Sequence, residues 1–369
     1  MNRKFSSIEE AKKFLESKGI KFVLAQFVDI HGVAKTKSVP LAHFDSIFSD
    51  GAGFAGFAVE GLGIQPHGPD FMGVGDLDSL RTLSWAPDTA RVACDGHVNR
   101  KPHAFDSRVI CDRMLEQLKS TLGMEFYSGL EPEFFLLRRN EQGQLGPAAE
   151  SDRLAKPCYD YRAFNRTNPV VSEIASALRD TGIDVYQIDH EDAIGQFEIN
   201  FTYAGGLETA DNFIFVKMAA AEIAYKHGMI CSFMPKPFSD RAGNGMHMHL
   251  SVGKDGSNAF YDKTDKRGLG LSQLAYWFLG GILDHAKGLT AIACPSVNSY
   301  KRLVGVGSMS GSTWAPTSIC YGDNNRTAMV RIPHGRLEIR VPDSSANPYL
   351  LTAAVIAAGL DGVQRKLEP

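Results

Sequence analysis

Residues 129–136 read Gly129-Leu130-Glu131-Pro132-Glu133-Phe134-Phe135-Leu136, and the whole reading of the chain starts from them. Residues 125–138 predict a strand, and side chains two apart on a strand leave the same face. Glu131 and Glu133 therefore project side by side. Two neighbouring carboxylates repel unless a cation or a proton lies between them. Pro132 removes a ladder donor, which predicts an edge or irregular position. On spacing alone, two solvent-facing acids on an amphipathic strand are the commoner outcome. The pair gains meaning only from what else the chain supplies.

Three other stretches supply it. Asp189-His190-Glu191-Asp192-Ala193-Ile194-Gly195-Gln196-Phe197-Glu198 sets Glu191 and Glu198 on either side of a glycine-containing turn, from which they can converge. Gly243-Asn244-Gly245-Met246-His247-Met248-His249-Leu250-Ser251 places two histidines on one face of a strand, and glycine lets backbone approach a ligand closely. Arg302, Arg326, Arg331, Arg336 and Arg340 form the third group, with Glu338 expected between the guanidinium forks of Arg336 and Arg340. Each signal has a plain alternative: solvated acids, a satisfied core histidine, a surface ion-pair ladder. Together they bring five glutamates and a histidine beside arginines suited to holding phosphate and carboxylate. Oxygen-rich ligand sets select Mg²⁺ or Mn²⁺, and divalent ions with arginines are the parts phosphoryl transfer needs. No GxxxxGK[ST] loop is present, and residues 305–311 lack the GxGxxG spacing.

Outward from these stretches, Ser7 and Glu10 predict a capped helix over 11–18. Strands follow at 22–29 and 33–39 around an Ile30-His31-Gly32 hairpin, and residues 51–75 read as a long Gly- and Pro-rich functional loop. A strand pair is expected over 83–95 around Pro87-Asp88. Helices are expected at 107–123, 170–181, 209–227, 271–287 and 347–365, and strands at 185–188, 196–203 and 246–252, with two more in 328–341. Strands and helices interleave without a βαβ rhythm, which predicts an α+β fold. The organisation expected is a strand-rich unit over 1–102 and a larger one over 103–369.

Bulk properties narrow the function. Of 369 residues, 44% are hydrophobic and 22% charged, enough for a substantial core, and a net charge of −3 without a basic run argues against a nucleic-acid partner. The six cysteines form no CxxC pair, which favours reduced thiols and a cytoplasmic location. The opening residues lack the apolar segment of a signal peptide, and the most apolar run, 274–283, is too short to span a bilayer.

In order and spacing, the chain resembles the glutamine synthetase superfamily through FVDIHGVAKTKSVP, GLEPEFFL, HEDAIGQFEIN, SFMPKPF, AGNGMHMHLS, NSYKRL, NNRTAMVRIP and RLEIRVPDSSANPYL. The resemblance implies an N-terminal β-grasp domain and a catalytic domain with a curved antiparallel sheet and flanking helices. It implies a homo-oligomer, commonly a dodecamer of two hexameric rings with sites between neighbours. It assigns Glu131, His247 and Glu338 to the metal site at the ATP phosphates, and Glu133, Glu191 and Glu198 to the site beside glutamate. Arg302, Arg340 and Gly243 fall on glutamate-binding positions, Arg326 and Arg331 on the transferred phosphoryl group, His249, Ser251 and Arg336 on the nucleotide, and Tyr159 near the amine pocket. The implied reaction joins the glutamate γ-carboxylate to ammonia or a small amine through γ-glutamyl phosphate, with Glu191 positioning or deprotonating the amine.

Three departures bear on the acceptor and on the extent of the chain. Ala58 stands where the family usually places an acid that reaches a neighbour's ammonium pocket, with Glu60 as the nearest substitute. The KRLVPGYE flap is replaced by residues 301–316, in which Trp314 precedes Ala315-Pro316. Desolvated ammonium needs anionic partners, whereas an aromatic wall favours an alkylated amine. These changes resemble the branch holding type III-like glutamine synthetases and γ-glutamylmethylamide synthetases, so methylamine is an expected alternative acceptor and another amine or polyamine a third. A catalytically silent relative is disfavoured, because nothing would keep its acids clustered. The ending at Arg365-Lys366-Leu367-Glu368-Pro369 falls short of the helices family members usually add, so a C-terminal part is expected to be missing.

Overall fold

The computed structural model describes residues 4–304 and 314–369, and counts and absences below refer to those residues. The glycine-containing run 305–311 lies outside them.

Two sheets with separate apolar cores organise the chain. The first has seven strands, its main path running Ala34–Pro40, Phe22–Val28, Ala86–Val98, Phe71–Gly75, Ala52–Phe54. The hairpin forms as expected: the Asp29 carboxylate accepts from the His31 and Val33 amides, each at 3.0 Å, and Gly32 takes a φ of 73°. Phe22–Val28 then pairs antiparallel with Ala34–Pro40 and parallel with Ala86–Val98. The pair expected over 83–95 turns at residues 84–85 instead of Pro87-Asp88. Pro87 is accommodated inside the strand because the register shifts between Thr82 and Leu83, so no regular ladder bond is asked of it. The 51–75 segment is likewise not one loop. Phe54 and Phe71 bury their rings 4.8 and 4.7 Å from that of Phe27, and their flanks pair as strands.

The second sheet has eleven strands, ordered along its main path Val185–His190, Gln196–Phe201, Glu125–Arg139, Met246–Lys254, Leu337–Ile339, Val330–Ile332, Tyr321–Asp323. Glu125–Arg139 is central, so of the edge or irregular positions that Pro132 predicts it takes the irregular one. Its neighbour Gln196–Phe201 pairs only as far as Glu198 opposite Glu133, so the missing N–H falls just past the end of that ladder. One face of this strand sends Leu130, Phe134 and Leu136 into the main core. The other presents Glu131 and Glu133.

Helices Tyr161–Asp180, Gly206–Lys226, Gln273–Asp284 and Pro348–Arg365 pack on the apolar face. The first begins at Tyr161, not Val170, because Asp160 caps it at the Ala163 amide (2.9 Å) and the buried Ala163 and Thr167 hold the turns before Pro169. The helix expected over 271–287 breaks at His285 into Gln273–Asp284 and Ala286–Ala293. No helix is long and apolar enough to cross a membrane.

A buried ionic knot joins the first sheet to the helices. Asp211 is held by the Arg108 guanidinium at 3.1 and 2.9 Å and by the Tyr349 hydroxyl at 2.6 Å, while Arg91 donates to its carbonyl. Arg108 also reaches Asp95 and Asp76.

Candidate functional site

The strand registers bring distant residues face to face. Glu131 lies opposite His247, Glu133 opposite Glu198, and His249 opposite Glu338. The turn around Gly195 (φ 80°) folds Glu191 back over the same face. All six residues expected to hold metal are thus gathered at one place. His247 stands 3.7 Å from Glu131, 3.7 Å from Glu133 and 4.0 Å from Glu338. The ligand atoms fall into two overlapping sets, Glu131–His249–Glu338 and Glu131–Glu198–His247, each within 4.8 Å of one another. His249, expected at the nucleotide, thus also stands among the ligand atoms, 3.0 Å from Glu131.

The electrostatics fit a divalent cation. Burial, reinforced by the charge of Glu133, pushes the Glu191 carboxyl up to about 8. Burial and three neighbouring glutamates push Glu198 well above the carboxylate range. Burial works against ionisation of Glu131 too, but His247 and His249 outweigh it and hold that group low. Burial and Arg340 keep His247 below its ordinary value, which favours the neutral ligand form. Acids packed this closely resist ionisation until positive charge enters between them. The oxygen-rich donor set suits Mg²⁺ or Mn²⁺.

Two cavities flank the cage. One, of about 420 Å³, is lined by Glu133, Glu191, Glu198, Gly243, Arg302, Arg326, Arg331, Arg340, Tyr159 and Trp314. The other, of about 500 Å³, is lined by Tyr127, Tyr203, Ser251 and Asn258. Glu131, Tyr186, His249 and Arg336 border both.

The arginines differ from expectation in one respect. Glu338 is fully buried between Arg340 and Arg331, the latter at 2.8 Å, and not between Arg340 and Arg336. Arg336 turns away because it donates to the His249 ring nitrogen at 3.0 Å. Arg302 is braced on the carbonyls of Val341 and Arg340 at 2.8 and 3.0 Å. Tyr159 takes a φ of 65° and sits largely exposed at the cavity rim. Glu60 pairs with His31 at 2.5 Å and lines neither cavity.

Two contributors, Gln196 and Asn200, escaped the sequence reading. Gln196 donates to Glu133 (3.0 Å), the Gly243 carbonyl (3.1 Å) and Asn244 (3.1 Å), tying three stretches together. Asn200 donates to Glu198 at 3.0 Å. Period-two spacing from Glu198 was the available signal, since residues 196, 198 and 200 share a face. Gly245 leaves room for the site: a Cβ there would lie 2.8 Å from the Arg302 guanidinium and 3.0 Å from the His247 ring, so either would have to shift. Trp314 donates its indole N–H to Asp192 at 3.0 Å beside Glu191.

A family model described as the glutamine synthetase catalytic domain matches residues 104–369. The chain belongs to the glutamine synthetase family. Its relatives within that family include a glutamate–methylamine ligase of Methyloversatilis universalis, 56% identical over 98% of this chain and 82% of the relative. A glutamine synthetase of Rhizobium leguminosarum bv. phaseoli is 42% identical over 96% and 81%. A solved structure of a GmaS/ADP complex superposes with a TM-score of 0.91 at 45% identity, covering 97% of this chain and 82% of that one. An apo GmaS structure gives 0.88 at 42% identity over the same shares.

Proposed function

We propose that this glutamine synthetase family chain joins the γ-carboxylate of glutamate to methylamine at the expense of ATP, with ammonia the poorer acceptor. The gap in identity carries the reading: 56% to a glutamate–methylamine ligase against 42% to a glutamine synthetase. The acceptor corner agrees with it, because Trp314 offers an aromatic face that stabilises an alkylammonium.

ATP occupies the 500 Å³ cavity, with His249, Ser251 and Arg336 as its contacts, and glutamate the 420 Å³ cavity against Arg302, Arg340 and Gly243. Glu131, Glu133, Glu191, Glu198, His247 and Glu338 would hold Mg²⁺ or Mn²⁺, which offsets charge on the phosphates. The glutamate γ-carboxylate oxygen attacks the terminal phosphorus of ATP, releasing ADP and leaving γ-glutamyl phosphate, while Arg326 and Arg331 stabilise the transferred group. Glu191, ionised where a cation would balance the neighbouring acids, takes a proton from the methylammonium. Tyr159 borders that acceptor. The free amine then attacks the acyl carbon, and phosphate departs taking up the second proton that the new amide nitrogen loses. Residues 1–102 form a β-grasp domain and residues 103–369 the catalytic domain, and the chain assembles as a two-ring dodecamer in the cytoplasm.

Phosphate release from ATP with glutamate and methylamine, ammonia or a polyamine tests the reading. The expected result is a higher kcat/KM with methylamine than with ammonia. Preference for ammonia makes the protein a glutamine synthetase, preference for the polyamine a different amine ligase, and no release with any amine a silent relative. Trp314→Ala should lower kcat/KM for methylamine by roughly tenfold, within the energy of a partly desolvated cation–aromatic contact, and spare ammonia.

A further inference from the structure

A third cavity, of about 820 Å³, shares no lining residue with the two at the cage. Arg138, Arg139, Arg153, Arg166 and Arg241 face it, against only two acids, Glu150 and Asp152. Those arginines are anchored chiefly on backbone carbonyls. Arg139 donates to Gly143 at 2.8 Å, Arg153 to Glu150 at 2.7 Å and Arg241 to Ile194 at 3.2 Å. A carbonyl orients a guanidinium without cancelling its charge. Among the described residues, Arg138, Arg139, Arg153 and Arg166 form no ion pair, and Arg241 has only Asp240 at 3.7 Å. The Asp152 carboxylate is buried and engaged through Oδ2 alone, by the His190 ring nitrogen (2.7 Å) and the Gly195 amide (2.6 Å), so with Glu150 it offsets only part of the five guanidinium charges. The result is a roomy cavity with five guanidinium forks against two carboxylates, an excess of positive charge that suits an oxyanion carrying several charges.

We propose that this cavity binds a small multivalent oxyanion, a phosphorylated compound or a polycarboxylate, and that its occupant acts on the turn around Gly195 that carries Glu191. Coupling follows from shared parts. Asp152 and Arg241 grip residues 194–195 from the cavity side, and the same turn presents Glu191 to the catalytic side. Lys236 donates to the Arg241 carbonyl, two residues before Gly243, so the glutamate loop is fastened to the same wall. The coupling, though not the binding, rests on the ligase reading above.

Calorimetric titration of the intact protein with pyrophosphate and, separately, tricarballylate tests binding without reference to activity. One site per chain is expected, weakened by roughly 100-fold or more in Arg139→Ala/Arg153→Ala, since two charge-assisted bonds are removed together. Binding by one probe alone identifies the phosphorylated or the carboxylate source. Absence of binding by both, or equal affinity in the double variant, overturns the proposal. Circular dichroism and unchanged basal turnover establish that the double variant is folded. In the amine assay, saturating probe should change the KM for amine in the wild type and not in the double variant. An unchanged KM with binding intact removes the coupling and keeps the site, whereas failure of all turnover strikes the ligase reading alone.

Discussion

Glu338→Gln is the sharpest test of how the cage is held. Glu338 is fully buried, and its two oxygens take Arg340 and Arg331, whose side chains are 4% and 13% exposed. Glutamine keeps the shape and one acceptor oxygen, but turns an NH₂ group toward the second guanidinium. The charge-assisted bond to that arginine is lost, about 1.5–3 kcal/mol. Breaking a buried pair by neutralising one partner raises the total to roughly 3–5 kcal/mol. For 369 residues at about 2.1 cal/mol/K each, the unfolding entropy is about 0.8 kcal/mol/K, so Tm should fall by about 4–6 °C. Urea unfolding in metal-free buffer isolates this loss from any contribution of bound cation. Glu338→Gln/Arg331→Gln should recover part of it, because the unpaired charge goes too. Destabilisation under 1 kcal/mol in the single variant, with phosphate release intact, would show that Glu338 does not pin these arginines.

Three further outcomes are expected. Mg²⁺ at a hundredfold excess over its Kd should stabilise the chain by about 2.7 kcal/mol, and Glu131→Gln/Glu198→Gln should lose that gain; an equal melting shift in both proteins would place the cation elsewhere. Asp106, buried at the start of helix Ser107–Leu122, is pushed by burial from 3.8 to about 6. The native state therefore binds its proton more tightly than the unfolded chain, and stability is lost as pH rises from about 4 to 6, by roughly 3 kcal/mol. Asp106→Asn, which still caps, should lessen that loss by the same amount in urea titrations at pH 4 and 7, and parallel pH curves for the two proteins would refute the assignment. Asp211→Ala should cost about 1.5–3 kcal/mol, because the Arg108 and Tyr349 bonds to its carboxylate are lost while Asp76 and Asp95 still hold Arg108; a loss below about 0.5 kcal/mol in urea unfolding would mean that the knot stands without it.

The cage was legible because strand periodicity is a two-residue rule. Glu131 and Glu133, like His247 and His249, had to share a face once each stretch was read as a strand. What periodicity does not give is which strands adjoin, so the partners of Glu338 were misread: Arg336 lies as near in sequence as Arg340, and only the pairing of Val330–Ile332 with Leu337–Ile339 brings Arg331 across. Similar reasoning explains the N-terminal errors. Glycine and proline in 51–75 signalled loop, but Phe54 and Phe71 had a buried partner in Phe27 that local composition could not reveal. Gln196 went unnoticed because a lone amide carries no charge signature, although it touches three parts of the site.

The indole of Trp314 gives the protein a built-in optical probe. Of three tryptophans, Trp85 lies half-buried with its ring tilted against that of Phe215 and Trp277 hydrogen-bonds Glu368, while Trp314 alone lines the cavity that holds Glu191. Replacing Trp85 and Trp277 with phenylalanine would leave one emitter, whose spectrum reports solvent and charge beside Glu191. Amine occupancy could then be followed in real time by stopped-flow emission, without a coupled enzyme or a labelled substrate.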